Sequence, residues 1–164
     1  MDDAATKKAE QQDAPVAGLL RRLAALLYDA FLVAAIWMTL GFMMQFIVGP
    51  DTNHLVDGRV QTDPVTSPIL FTAMVLSAAG FYIWFWMRTG QTLGMLAWRI
   101  KAVSSDGSLM SFKQAVLRFV IAWPAFFCFG VGYLWLYLDN HGNAIHDILS
   151  GTQVIVVPKG ARGF

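Results

Sequence analysis

Charge is what this sequence has least of. Only 14% of its 164 residues are Asp, Glu, Lys or Arg, while 56% are hydrophobic. Soluble domains carry about a quarter charged residues. From Leu23 to Val48 a single ionisable side chain occurs, Asp29, and from Ile69 to Met87 there is none. Runs of that length exclude an ordinary soluble domain and read as membrane spans. Cysteine is nearly absent. Cys128 stands alone in an apolar run, so no internal disulfide can form, and it reads as a small buried or lipid-facing residue. No basic patch with interleaved aromatics occurs, so no nucleic acid is expected as a partner. Gly90 and Gly94 lack a following Gly-Lys-Ser/Thr signature, which excludes a phosphate loop. His141 and His146, beside Asp139 and Asp147, match no zinc spacing, so no metal or other cofactor is expected. No nucleophile–base pair stands out, and Ser150-Gly151-Thr152 with His146 is a sparse constellation, so no enzyme is expected.

What is present is one small membrane domain. Residues 1–17 mix both signs of charge with Gln11-Gln12 and Pro15. They show no apolar periodicity and are expected to be a disordered tail. This lead is long and of mixed sign, and the apolar run behind it exceeds a signal core, so no cleavable signal peptide is expected. The transmembrane domain is expected over 18–157, with a short tail at 158–164. A first helix should run from about Gly18 to Val48 and end at Gly49-Pro50-Asp51. The first loop, 49–67, can hold a hairpin at Val56–Val60. The second span is Ile69–Met87, with a small-residue face at Ser77-Ala78-Ala79-Gly80 and interfacial Tyr82, Trp84 and Trp86 at its end.

The segment 98–103 alternates apolar and basic residues, as a strand does. Ser111 to Trp123 reads as an amphipathic helix capped by Ser111. It has Lys113, Gln114 and Arg118 on one side and Phe112, Val116, Phe119 and Trp123 on the other. Pro124 interrupts it. Residues 115–138 then read as a kinked third span, or as an interfacial helix followed by a re-entrant piece. Gln153–Val157 is a second β-branched run, whose pairing with 100–103 would hold the tail inside. The expected fold is an all-α membrane protein: a small helical bundle of about three transmembrane segments, the third kinked or re-entrant, with a short cytoplasmic strand pair.

Sidedness comes from Lys and Arg. Four precede or open the first span (Lys7, Lys8, Arg21, Arg22), one lies in the first loop (Arg59), and five lie between the second and third segments (Arg88, Arg99, Lys101, Lys113, Arg118). The N-terminus and second loop are expected inside and the first loop outside.

The chain is organised around Arg21-Arg22-Leu23-Ala24-Ala25-Leu26-Leu27-Tyr28-Asp29. A carboxylate in a span costs about 2.5–3.5 kcal/mol near its centre and less near an end. Seven residues are close to two helical turns, so Arg22 and Asp29 share a face about 10 Å apart along the axis. The plain reading makes the arginines inner-face anchors, and Asp29 a carboxylate that reaches back to the interface. The other reading makes Arg22, Asp29 and Asp147 one network, with Arg22 between two carboxylates.

These stretches resemble the RDD family of small bacterial membrane proteins, named for one arginine and two aspartates. Arg22 and Asp29 match the pair in the first span, with Arg21 as the alternative arginine. Gly90-Gln91-Thr92-Leu93-Gly94 with Arg99-Ile100-Lys101-Ala102-Val103 and Asp106-Gly107 is similar to the middle motif. Met95 stands where a basic residue often follows the second glycine. His146-Asp147-Ile148-Leu149-Ser150-Gly151-Thr152 is similar to the closing motif and supplies the second aspartate, Asp147, ahead of Asp139. The resemblance implies a functional network of Arg22, Asp29 and Asp147. Arg21, Gly90, Gly94, Asp139, His146, Gly151 and Thr152 are secondary candidates.

The resemblance also implies a bacterial inner-membrane, multi-pass protein with a cytoplasmic N-terminus. The family is associated with transport, and some members with cation/proton exchange. Two functions follow as expectations. One is transport of an ion or small solute through the Arg/Asp network, which requires a homo-oligomer or partner subunit because two or three helices cannot enclose a path. The alternative is a non-catalytic membrane scaffold or assembly partner, with the same residues as a structural clamp.

Overall fold

The computed structural model describes residues 11, 14–49, 53–127, 132, 135–139 and 142–158. Among them, two helices are long and apolar enough to cross a membrane: α1, Leu19–Val48, and α2, Thr66–Arg88. At 1.5 Å per residue, the 30 residues of α1 exceed a hydrocarbon core of about 30 Å. Phe31, Phe42 and Phe46 on α1 and Phe71 and Leu76 on α2 are exposed. Water tolerates no apolar surface of that extent, and lipid does.

Among the described residues no third helix is long enough to cross, so the expected count of about three spans is not confirmed. The helix of the third segment, written below as α4, covers Phe112–Phe127, 16 residues with Pro124 inside. A 3-10 turn follows at Trp135–Tyr137. Residues 128–131 and 133–134, with the expected break at Gly130, lie outside the described residues.

The chain divides into two compact units. One is Ala30–Phe81. In it, β1 (Asn53–Val56) and β2 (Arg59–Thr62) pair antiparallel, with Val56 opposite Arg59. Asp57 (φ 51) and Gly58 (φ 73) make the two-residue turn between them, and positive φ at both positions fits the twist of a hairpin. The Asp63 carboxylate accepts from the Thr66 backbone N–H at 3.0 Å, which satisfies a donor at the start of α2. Trp37, mid-way along α1, donates its Nε1 proton to the Met74 carbonyl at 2.9 Å.

The other unit joins the chain up to Asp29 with Tyr82 onward. Its centre is a strand pair: β3 (Ile100–Ser104) runs antiparallel to β4 (Thr152–Val156), with Ile100 opposite Val156 and Ser104 opposite Thr152. The N-terminal stretch extends this sheet. Val16 lies opposite Ile155, Ala17 N–H donates to the Val154 carbonyl at 2.7 Å, and Val156 N–H donates to the Pro15 carbonyl at 2.8 Å. The expected disordered tail over 1–17 is therefore corrected at 15–17. These residues are too few for a periodic pattern, and β4 offers them a backbone edge. Residues 1–10 lie outside the described residues.

Two short helices were not expected, α3 (Leu93–Ala97) and α5 (Ile145–Ser150), because fewer than two turns leave no periodicity to read. Ile100, Val103, Val154 and Ile155 are fully buried between these layers, worth about 1.5–3 kcal/mol each against exposure. Ala17, Ala25, Trp86, Met95, Met110 and Ala115 form one core with Ile100 and Val154.

Candidate functional site

Along α1 the buried positions are Arg22, Ala25, Asp29 and Val33, spacings of three and four that define one stripe. Arg21 is exposed. The stripe therefore turns inward the two ionisable groups singled out above, and their surroundings differ.

Arg22 holds the mouth of the helix. Its Nε donates to the Ala17 carbonyl at 2.8 Å, and its Nη1 donates to Asp147 Oδ2. Asp147 is wholly buried, and its second oxygen accepts from Arg118 Nη1. Arg118 Nη1 also donates to Thr152 Oγ1 at 2.6 Å, which lies 2.8 Å from Ser150 Oγ. Asp147 reaches back along α5 as well, accepting from the Ala144 backbone N–H at 3.0 Å. The Arg118 guanidinium sits 5.3 Å from the centre of the Trp86 ring, whose π face favours a cation. One carboxylate between two guanidiniums thus joins the N-terminal stretch, α1, α4, α5 and β4.

Asp29 stands apart from this cluster. Thr92 Oγ1 donates to its Oδ2 at 2.5 Å, and the Gly94 N–H donates to its Oδ1 at 2.8 Å. The same Thr92 oxygen caps α3 by accepting from the Met95 N–H at 3.2 Å. Gly94 is required there. A Cβ would overlap the Ala25 carbonyl oxygen and lie 2.9 Å from the Asp29 carboxyl. Gly90 is held at φ +74, with a Cβ that would lie 2.7 Å from the Ala102 oxygen, and its carbonyl accepts from the Ala102 N–H at 2.8 Å.

The expected single network of Arg22, Asp29 and Asp147 is therefore corrected. Arg22 does not lie between two carboxylates; Asp147 lies between two arginines. The two-turn offset along α1 explains this, since Arg22 faces α5 and Asp29, deeper in the helix, faces α3. Of the secondary candidates, Gly94 and Thr152 touch the two sites. His146 Nε2 lies 3.5 Å from Asp147 Oδ1. Gly151, in the left-handed region, closes α5. Gly90 supports β3, and Asp139 accepts from the Asn143 N–H in a turn.

Arg118 and Thr92 were missed. Arg118 read only as part of the polar side of an amphipathic helix, and its partner Asp147 comes from α5, far along the chain. Thr92 lies in the middle motif between Gly90 and Gly94, and its uncharged hydroxyl leaves no mark in the charge pattern.

The electrostatics follow from burial. Desolvation pushes the His146 imidazole down to about 3, with Arg118 adding to the fall, so the ring is neutral. Burial alone would raise the Asp147 carboxyl, but Arg118 and Arg22 outweigh it and hold the group below the usual carboxylate range. The unfolded chain takes up a proton on His146 near pH 6.5, which the folded chain refuses until about pH 3. Stability therefore falls as pH drops through that window, by about 2 kcal/mol at pH 5, and Asp147 adds its own loss only below about pH 4. Thermal melts in detergent at pH 7 and pH 5 should show this slope, and His146→Gln should flatten it. An unchanged slope in the variant would remove His146 from the account.

The RDD family model matches residues 16–151. The chain belongs to the RDD family. That match takes in Arg22, Arg118, Asp147 and the Asp29 site, and stops one residue short of Thr152. The uncharacterized protein RP437 of Rickettsia prowazekii (strain Madrid E) is similar over 88 residues at 28% identity, which is 53% of this chain and 49% of that protein. The match thus spans about half the length of either protein. No solved structure matches the chain. RDD membership, with two apolar helices exposed along their length, makes this a membrane protein.

Proposed function

We propose that the chain is a non-catalytic, multi-pass subunit of the bacterial inner membrane, an assembly partner whose Arg/Asp cluster clamps its own distant segments into one unit. The observation that carries this is Asp147. It is fully buried and each of its oxygens already accepts from a guanidinium, which suits a fixed tie better than a site that must exchange an ion. Such clusters specify an arrangement at some cost in stability. The topology follows the same logic. Residues 15–17, β3 and β4 share one sheet, so the N-terminus, the second loop and the tail lie on one side. That requires an even number of crossings, namely α1 and α2, with α4 not crossing fully. The excess of Lys and Arg in these segments makes that side cytoplasmic. The partners are the lipid bilayer and either further copies or another membrane subunit; no nucleic acid, metal or cofactor enters.

Cysteine labelling in a Cys128→Ser background tests the topology. Reagent added outside should reach cysteines at Asn53 or Gln61 and not at Ser105. Labelling of Ser105 from outside would sink the orientation.

A second reading, transport of an ion or small solute, rests on Asp29. Among the described residues no cation pairs with it; its bonds come from Thr92 and Gly94. An ionisable side chain in a spanning helix is a functional candidate by default. Transport also needs a homo-oligomer or partner subunit. Liposomes holding the purified protein separate the readings. Cation-dependent proton movement lost in Asp29→Asn, at unchanged abundance, favours transport. No movement in the wild type favours assembly.

A further inference from the structure

The helix α4 is amphipathic in the reverse sense from a soluble one. Two of its polar residues face inward, while Lys113 near its start is exposed: Arg118 is buried against Asp147, and Gln114 Nε2 donates to Ser104 Oγ at 3.0 Å and to the Gly151 carbonyl at 3.1 Å. Its outer stripe is apolar, with Phe112 61%, Leu117 44%, Val120 57% and Trp123 38% exposed. These positions recur at helical spacing on one side. The exposed charges of this unit are mostly basic. Among the described residues of this unit, Arg21, Arg88, Arg99 and Lys113 are exposed, against Asp106 as the exposed acid. Arg99 follows the exposed Trp98, an aromatic–basic pair of the kind found at headgroup level.

We propose that α4 lies along the cytoplasmic membrane surface, its apolar stripe in the acyl boundary and its basic neighbours on anionic lipid headgroups. This rests on the topology proposed above. Three observations choose lipid over other occupants. The stripe is too apolar for water. A second copy presenting the same basic surroundings would be repelled. A full crossing would carry the buried Arg118–Asp147 pair towards the bilayer centre on a helix of only 16 residues with Pro124 inside. An interfacial helix of this design sinks its apolar face about 5–10 Å into the boundary region.

The test uses the full chain in nanodiscs, in a Cys128→Ser background, with nitroxides on Leu117→Cys and Val120→Cys and with Ser105→Cys as the aqueous reference. The expected result is high oxygen and low nickel-chelate accessibility at 117 and 120, at shallow depth, with the reverse at 105. In discs mixing zwitterionic lipid and phosphatidylglycerol, enrichment of phosphatidylglycerol around the protein should fall about fivefold for each of Lys113→Gln and Arg99→Gln, given about 1 kcal/mol per basic residue at an anionic surface. Nickel access at 117 equal to that at 105, spin–spin broadening between copies, or a depth near the bilayer centre would each overturn the proposal. Unchanged enrichment in both Gln variants would overturn the headgroup part. A failure of the topology alone shows separately, as labelling of Ser105→Cys from outside with accessibility at 117 and 120 intact.

Discussion

Asp147→Asn is expected to remove more folded protein from the membrane than Arg22→Ala or Arg118→Ala. The reason is the charge count around the carboxylate. Asp147 accepts from both arginines. Losing either arginine leaves the other paired and costs about 1.5–3 kcal/mol, the worth of a hydrogen bond to a charged group. Losing the carboxylate leaves two guanidiniums buried without an anion. Breaking a buried pair in this way costs about 3–5 kcal/mol, a large part of a total stability of about 5–15 kcal/mol. Quantitative immunoblots of membrane fractions, with melts of whatever folds, should rank the variants Asp147→Asn, then Arg118→Ala and Arg22→Ala. Arg22→Ala as the most damaging of the three would restore the arrangement expected from the sequence, with Arg22 at the centre.

Gly94→Ala is expected to be the most damaging single methyl in the chain. The added Cβ meets the Ala25 backbone oxygen and the Asp29 carboxyl at once. Backbone cannot swing aside, so α3 must move off α1. Overpacking of this kind costs about 1–3 kcal/mol. The movement also pulls the Gly94 N–H from Asp29, and a buried acceptor left unpaired adds about 1–3 kcal/mol. Gly41→Ala and Gly80→Ala are the controls, since a Cβ at either meets nothing within 4 Å. With open space for the methyl in a helix interior, alanine should be neutral or slightly stabilising. Melting temperatures of the three variants in one detergent check this. A Gly94→Ala melt equal to that of the controls would show that the close approach to Asp29 does not hold.

Much of the fold could be read from long apolar runs and alternation, because those patterns span many residues. The start of α1 near Gly18, the end of α2 near Met87, the hairpin in the first loop and the strands at 100–104 and 152–156 all announced themselves this way. The short helices at Leu93 and Ile145 did not, since one or two turns leave no repeat. The candidate site was half legible. Arg22 and Asp147 carry charge where charge is scarce, and family motifs marked them. Their true third member, Arg118, sits on the polar side of an amphipathic helix, and nothing in that local pattern shows that Asp147, 29 residues on, meets it. Asp29 was visible by its rarity, but its partners were not: Thr92 Oγ1 and a glycine N–H carry no charge and leave no mark in a hydropathy pattern.

The central claim is that the Arg22–Asp147–Arg118 cluster gathers the N-terminal stretch, β3 and β4 on one side of the membrane. The most direct measurement is a disulfide between Val16→Cys and Ile155→Cys, formed by mild oxidation of isolated membranes in a Cys128→Ser background. Val16 and Ile155 face each other between the bonds Ala17 N–H to Val154 and Val156 N–H to Pro15. In antiparallel sheets such non-hydrogen-bonded pairs lie about 4.5 Å apart at Cα, within disulfide reach. The account predicts near-complete intramolecular cross-linking, read as a mobility shift on a non-reducing gel, and a much lower yield when Asp147→Asn is added. No cross-link, with Val16→Cys labelled from one face of the membrane and Ile155→Cys from the other, would contradict it.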